Sequence, residues 1–167
     1  MRDITAIVIH TSATRANMFV DAAMIDKWHK ANGYRKIGYH YVIRRDGRVE
    51  LGRKETEGGA HVRNHNYNTI GICLVGGLNN QTGAAENNYT PQQWNELRKL
   101  LNNLTKRFPN AYVLGHRDYS PDLDKDGVVE AHEWFKECPC FDAPMWAREN
   151  GFRGARYTAK KGYQLLS

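Results

Sequence analysis

Two short apolar runs and several alternating stretches divide the chain into candidate strands. Residues 4–10 and 69–75 are almost entirely apolar and predict two buried strands. Residues 39–45 and 48–52 flank an Asp46-Gly47 pair, which is the signature of a hairpin with a two-residue turn. Residues 111–114 predict a further short strand that leads directly into Gly115 and His116.

Two other stretches have apolar residues at helical spacing. The first predicts a helix over residues 19–31 that ends at Asn32-Gly33. The second begins with a capping box between Thr90 and Gln93, with Pro91 at the first helical position. Its apolar stripe consists of Trp94, Leu97, Leu101, Leu104 and Phe108.

Strands and helices that are intermixed in this way predict an α/β fold. We expect a single domain over residues 1–152, with a central mixed β-sheet flanked by α-helices. Residues 153–167 are rich in Arg and Lys, and we expect them to form a loose basic tail.

Composition and charge narrow the range of partners. The 167 residues are 41% hydrophobic and 25% charged, which is ordinary for one globular domain. No apolar run approaches the roughly 18 residues of a membrane span, so we expect no membrane insertion. The net charge of +6 favours a polyanionic partner such as nucleic acid, anionic lipid or cell wall. Because the basic residues are scattered and no nucleic-acid-binding motif occurs, we expect no binding of nucleic acid. We also expect the protein to be a monomer.

Histidine and cysteine residues carry the candidate chemistry. His10 ends the first predicted strand and His116 follows the strand at residues 111–114. In open α/β sheets, sites form at the carboxyl ends of strands. Two imidazoles and one thiolate are a known ligand set for catalytic zinc, and either Cys138 or Cys140 offers the thiolate. Cys73 lies inside an apolar run, where we expect it to act as a small buried hydrophobe.

The order of short motifs along the chain resembles the type 2 N-acetylmuramoyl-L-alanine amidases. That family includes phage endolysins and the animal peptidoglycan recognition proteins. The resemblance runs from about residue 4 to about residue 150. The matching segments are residues 9–14 (IHTSAT), 28–30 (WHK), 37–43 (IGYHYVI), 45–47 (RDG), 52–53 (GR), 59–61 (GAH), 68–77 (NTIGICLVGG) and 136–142 (KECPCFD).

The resemblance implies roles for individual residues. His10, His116 and Cys138 occupy the positions of the family's zinc ligands, which favours Cys138 over its neighbouring thiol. Tyr39 and Lys136 occupy positions that are associated with catalysis in the phage-type members.

The implied reaction is hydrolysis of the amide between N-acetylmuramic acid and L-alanine of the peptidoglycan stem peptide. Zinc would lower the pKa of a bound water towards ~7. Lys136 would stabilise the oxyanion, and Tyr39 would orient the water or pass a proton to the leaving amine, although the sequence does not divide these two roles. His61 and Asn68 fall where the family lines its peptide-binding groove.

Two other interpretations of the resemblance stay open. A peptidoglycan receptor without catalysis would use the same fold, but such relatives typically lack the thiol ligand that Cys138 supplies. A zinc peptidoglycan endopeptidase would cut a different bond in the same polymer. The N-terminus does not resemble a signal peptide, so we expect synthesis in the cytoplasm and release to the cell wall through a holin or another export route.

One departure from the family pattern suggests a second ion. His116 and Cys138 are 22 positions apart, which is more than is usual in the family and indicates an insertion around residues 121–135. The insertion matches the D-x-D-x-D-G-x₅-E pattern of a calcium-binding loop. Hard oxygen ligands suit calcium, although the flanking helices are limited to a short one expected around residues 132–137. The alternative is a solvated acidic loop. The candidate ligands are Asp122, Asp124, Asp126 and Glu133.

Overall fold

The computed structural model describes all 167 residues as nine strands and three α-helices. The helices are α1 (Ala22–Ala31), α2 (Pro91–Arg107) and α3 (Ala143–Glu149). The strands are β1 (Ala6–Thr11), β2 (Thr14–Arg15), β3 (Tyr41–Ile43), β4 (Val49–Leu51), β5 (Thr69–Leu74), β6 (Gly77–Leu78), β7 (Tyr112–Gly115), β8 (Ala155–Thr158) and β9 (Gly162–Leu165).

Five of these strands form the central sheet, in the order β4-β3-β5-β1-β7. Strand β1 is parallel to both β5 and β7, β3 is parallel to β5, and β4 is antiparallel to β3. The predicted mixed sheet is therefore confirmed. Strands β1 and β7 run in the same direction, and Ile9 pairs with Gly115. His10 and His116 therefore lie next to each other at the carboxyl end of these strands.

Helices cover both faces of the sheet and enclose two apolar cores. The larger core lies between the sheet and helices α2 and α3, where Leu97, Leu101 and Leu104 of the predicted stripe are fully buried. A smaller core packs Ile25 of α1 against Val42 and other residues of the opposite face. None of the helices combines the length and the apolarity that crossing a bilayer requires.

Local capping explains where the helices begin. The capping box of α2 is present as predicted, with Thr90 Oγ1 accepting a hydrogen bond from the Gln93 amide. Helix α1 begins three residues later than predicted, because the Asp21 carboxylate accepts the Met24 amide and makes Asp21 the N-cap. Helix α3, capped by Asp142, was not predicted, since its seven residues are too few for a clear helical period.

The expectation of a loose tail after residue 152 is wrong. Strands β8 and β9 form an antiparallel hairpin that packs against the sheet edge, where the rings of Tyr112 and Tyr163 stack at 5.1 Å. Arg156 on β8 forms ion pairs with Asp118 and Asp142. Arg156 therefore anchors this segment, because the folded chain brings these two carboxylates close to its guanidinium group.

Candidate active site

The three predicted zinc ligands converge at the carboxyl end of the sheet. His10 lies near the end of β1, His116 follows β7, and Cys138 lies in the loop before α3. Their donor atoms lie within 4.8 Å of one another, and the His10 and His116 ring centroids are 4.6 Å apart. The Thr11 amide donates to Cys138 Sγ at 3.2 Å and holds the thiol beside the strand.

Burial sets the protonation of these three groups. It lowers the pKa of His10 well below its ordinary value. It also lowers the pKa of His116 to about 4, with a further contribution from the Lys136 ammonium. Burial raises the pKa of the Cys138 thiol to about 12. At neutral pH the imidazoles therefore offer lone pairs to a cation, whereas the thiol requires a neighbouring cation to release its proton.

The ligands open onto a cleft of about 650 Å³, and both predicted catalytic residues line it. The Tyr39 ring lies 5.0 Å from the His10 ring, centroid to centroid, and burial raises the pKa of its phenol well above the ordinary value. Lys136 is exposed and lines the cleft two residues before Cys138. His29 also lines the cleft, with its ring 5.3 Å from Tyr39. We made no prediction for His29, because nothing in its helical context distinguishes it from a surface histidine.

His61 lies behind a metal ligand as well as beside the cleft. Its side chain is only 8% exposed, and its Nδ1 lies 2.8 Å from His10 Nε2. Its other nitrogen lies 3.2 Å from Thr69 Oγ1. Gly59 and Gly71 leave the space that this ring fills, since a Cβ at Gly71 would lie 2.7 Å from the ring and one at Gly59 would collide with it.

One direction of proton donation satisfies the whole chain of hydrogen bonds. The His65 carbonyl can only accept, so Thr69 Oγ1 donates to it at 2.7 Å. Thr69 Oγ1 then accepts from His61 Nε2, and the neutral His61 ring accepts from His10 Nε2 at its Nδ1. His10 Nδ1 is left with its lone pair, and it faces Cys138 Sγ at 3.9 Å. The hydrogen bonds of His61 and Thr69 thus select the His10 tautomer that can bind a metal.

The structure does not place Asn68 at the cleft. Asn68 lies outside the cleft, and its backbone carbonyl accepts from the Thr5 amide. Asn66 lines the cleft instead, and its carboxamide oxygen accepts from the amides of His61 and Val62. Because successive residues of a loop do not alternate regularly, sequence position alone could not choose between the two asparagines.

The two remaining cysteines stand apart from the cluster of ligands. Cys140 Sγ donates to the Gly77 carbonyl, and no group of candidate ligands includes it. Cys73 is completely buried in β5, as expected for a small hydrophobe. The geometry therefore favours Cys138 as the thiol ligand.

The acidic insertion folds only partly as the calcium pattern predicts. Carboxylate oxygens of Asp122, Asp124 and Glu133 lie within 4.8 Å of one another, whereas Asp126 is not part of this group. The Gly127 amide donates to Asp122 Oδ2 at 2.9 Å, and Gly127 has a positive φ of 94°. Asp122 Oδ1 is buried and has no hydrogen-bond partner.

The predicted helix around residues 132–137 is wrong. Only a single 3-10 turn, Ala131–Glu133, forms in this part of the insertion. The Glu133 carboxylate accepts hydrogen bonds from the amides of Leu123, Asp124 and Glu130, so the buried acid closes the loop on itself. These hydrogen bonds close the loop, and no α-helix forms over residues 132–137.

Comparison with known proteins agrees with this geometry. Residues 1–139 match the family described as N-acetylmuramoyl-L-alanine amidase. The chain belongs to that family. It is 40% identical over 140 residues to the endolysin of Enterobacteria phage K11, covering 84% of this chain and 83% of the relative.

Solved structures of other proteins share the fold of this amidase. N-acetylmuramoyl-L-alanine amidase LysC from Clostridium intestinale superposes with a TM-score of 0.66 at 29% identity, covering 89% of this chain and 83% of LysC. Drosophila PGRP-LB superposes with a TM-score of 0.61 at 22% identity, over 83% of this chain and 76% of that protein. The amidase therefore shares its fold with N-acetylmuramoyl-L-alanine amidase LysC and with a peptidoglycan recognition protein, as the motif order implied.

Proposed function

We propose that this amidase hydrolyses the bond between N-acetylmuramic acid and L-alanine with the help of zinc held by His10, His116 and Cys138. The observation that carries the proposal is the convergence of these three donors beside an open cleft. The thiol lies 128 positions from His10 along the chain, so their proximity is a product of the fold.

The donor set fits zinc. Two nitrogens and one sulfur suit a borderline-soft ion, and three protein ligands are the number found in catalytic zinc sites. The open cleft leaves room for the substrate at the remaining position. A zinc ion bound there supplies Lewis acidity, which polarises the scissile carbonyl and makes water nucleophilic near neutral pH.

Two side chains then serve the reacting groups. The Lys136 ammonium offers positive charge to the oxygen on which charge develops during attack. The Tyr39 hydroxyl orients the attacking water or donates a proton to the leaving amine of L-alanine. Both residues line the cleft, which supports their contact with the substrate.

We propose that the substrate is peptidoglycan and that the protein reaches it after release from the cytoplasm. The similarity to the endolysin of phage K11 supports this proposal. We propose that the amidase acts as a monomer. A receptor without catalysis is disfavoured, because the thiol ligand is present and close to both imidazoles.

Digestion of purified sacculi tests this proposal directly. The wild-type protein should release stem peptides with a free L-alanine amino terminus and leave glycan strands in which N-acetylmuramic acid has a free lactyl carboxyl, both identified by mass spectrometry. Cys138→Ser should bind little zinc and lose nearly all activity, whereas Cys140→Ser should keep one zinc per chain and near-normal activity. New ends within the stem peptide would identify an endopeptidase instead, and the reverse behaviour of the two serine variants would refute the ligand assignment.

We also propose that the insertion binds calcium through Asp122, Asp124 and Glu133, with Asp126 at the remaining acidic position of the pattern. The convergence of three carboxylates and the unpartnered, buried Asp122 Oδ1 support this proposal. Oxygen donors without nitrogen or sulfur suit a hard cation. A bound ion would order the segment that leads to Lys136 and Cys138.

A further inference from the structure

A second recess, of about 720 Å³, lies beside the catalytic cleft. The loop after His61, the insertion and the β8–β9 hairpin build it together. Arg63 lines both the recess and the cleft, so the two adjoin each other at this residue. A substrate that extends past Arg63 therefore enters this recess, which we call the basic recess.

Unpaired positive charge dominates the lining of the basic recess. Arg63, Lys125 and Lys160 line it, all three are exposed, and none forms an ion pair. The lining contains a single carboxylate, Asp122, and one of its oxygens already accepts the Gly127 amide. The surplus of cations makes the recess attractive to a molecule that carries several carboxylates.

Packed rings provide a firm surface below these charges. The ring centroids of His65, Tyr119 and Tyr157 lie 4.7 to 5.0 Å apart. The hydroxyl groups of Tyr119 and Tyr163 share a hydrogen bond of 2.8 Å, which ties the rings to β9. Burial lowers the pKa of His65, so this ring adds no charge at neutral pH. The surface thus combines apolar ring faces with exposed cations at the rim, which suits a peptide that alternates aliphatic and carboxylate groups.

We propose that the basic recess binds the carboxylate-bearing distal part of the stem peptide. This inference rests on the proposed function, because it requires the scissile amide to lie in the cleft. L-Alanine is the first residue of the stem, so the later residues, which carry the free carboxylates, are those that can reach past Arg63. The glycan strand lacks such charges, because the lactyl carboxyl of muramic acid is consumed in the scissile amide.

Two synthetic substrates that differ only in charge test the inference. Both are muramoyl tetrapeptides; one carries free carboxylates on residues two to four, and the other carries carboxamides at the same positions. We expect a KM about three- to tenfold lower for the carboxylate form, since each partly exposed ion pair contributes modestly. The difference should shrink with added salt. Zinc and calcium concentrations are kept constant throughout.

Charge-removal variants then assign the difference to the recess. In Lys125→Ala/Lys160→Ala the two KM values should fall within about twofold of each other with kcat unchanged, since most of the pairing charge is gone. Lys125→Glu/Lys160→Glu should reverse the preference. The matched control Lys106→Ala/Arg148→Ala removes two exposed, unpaired charges from α2 and α3, outside the recess, and should keep the wild-type ratio.

The possible outcomes distinguish a failure of the inference about the recess from a failure of the proposed amidase function. Equal KM values in the wild type, or an unchanged ratio in Lys125→Ala/Lys160→Ala, would overturn the inference while leaving the amidase activity intact. An equal loss of affinity for both substrates would show that a neutral part of the polymer binds there, and would also overturn it. If neither substrate is cleaved, the proposed function fails, and calorimetric binding of the two uncut peptides still tests the recess.

Discussion

The hydrogen bond from His10 Nε2 to His61 Nδ1 orients the His10 ring, and this makes His61 a positioning residue for the proposed metal ligand. His61→Ala should weaken zinc binding about 10- to 100-fold, as the loss of a hydrogen-bond partner behind a metal ligand typically does. His61→Gln should recover part of the affinity, because a carboxamide can accept from His10 and donate to Thr69. Competition with a chromogenic chelator measures the zinc affinity. An unchanged affinity in His61→Ala, or no recovery in His61→Gln, would contradict this role.

The proposed roles of two other single residues concern the substrate and not the metal. Tyr39→Phe and Lys136→Ala should each retain one zinc per chain and lose turnover by about 10²- to 10³-fold, the usual cost of removing one group that stabilises the transition state. Metal analysis and muropeptide release measured on the same samples separate the two effects. Near-normal turnover in both variants would remove them from the mechanism.

At the scale of elements, we expect the insertion to be the segment that responds to calcium. Three carboxylates that repel one another without a counter-ion should make the loop less stable, so calcium should raise the melting temperature of the wild type. Asp124→Ala should abolish the rise. Glu149→Ala, which removes an exposed and unpaired acid from α3, serves as the matched control and should retain it. If calcium does not change the melting temperature of the wild type at saturating zinc, the insertion is a solvated acidic loop that binds no calcium.

At the scale of the whole molecule, the proposed zinc ligands connect β1, β7 and the loop before α3. Because zinc would bind this folded arrangement, saturation at 100 times Kd would add about 2.7 kcal/mol of stability. Removing zinc with a zinc-selective chelator should lower the melting temperature by roughly 5–10 °C in a chain of this size, and should abolish activity. Added zinc should restore both, whereas magnesium should not. Full activity in metal-free protein would exclude the proposed mechanism.

The sequence by itself determined the elements with strong local patterns. Strands β1 and β5 appear as continuous apolar runs, and helix α2 combines a regular stripe with a capping box, so short-range physics specifies them. The positions of two strand ends were sufficient to place His10 beside His116, because parallel strands bring their carboxyl ends to the same end of the sheet, and the family resemblance added Cys138 to them.

Only the tertiary structure decided the features that depend on distant partners. It placed His61 behind His10, exchanged Asn68 for Asn66 in the cleft, and folded the basic tail into β8 and β9. Each of these outcomes rests on contacts between segments far apart in the chain. A periodic pattern reports which face of an element is buried, but it does not report which side chain from another segment meets it there.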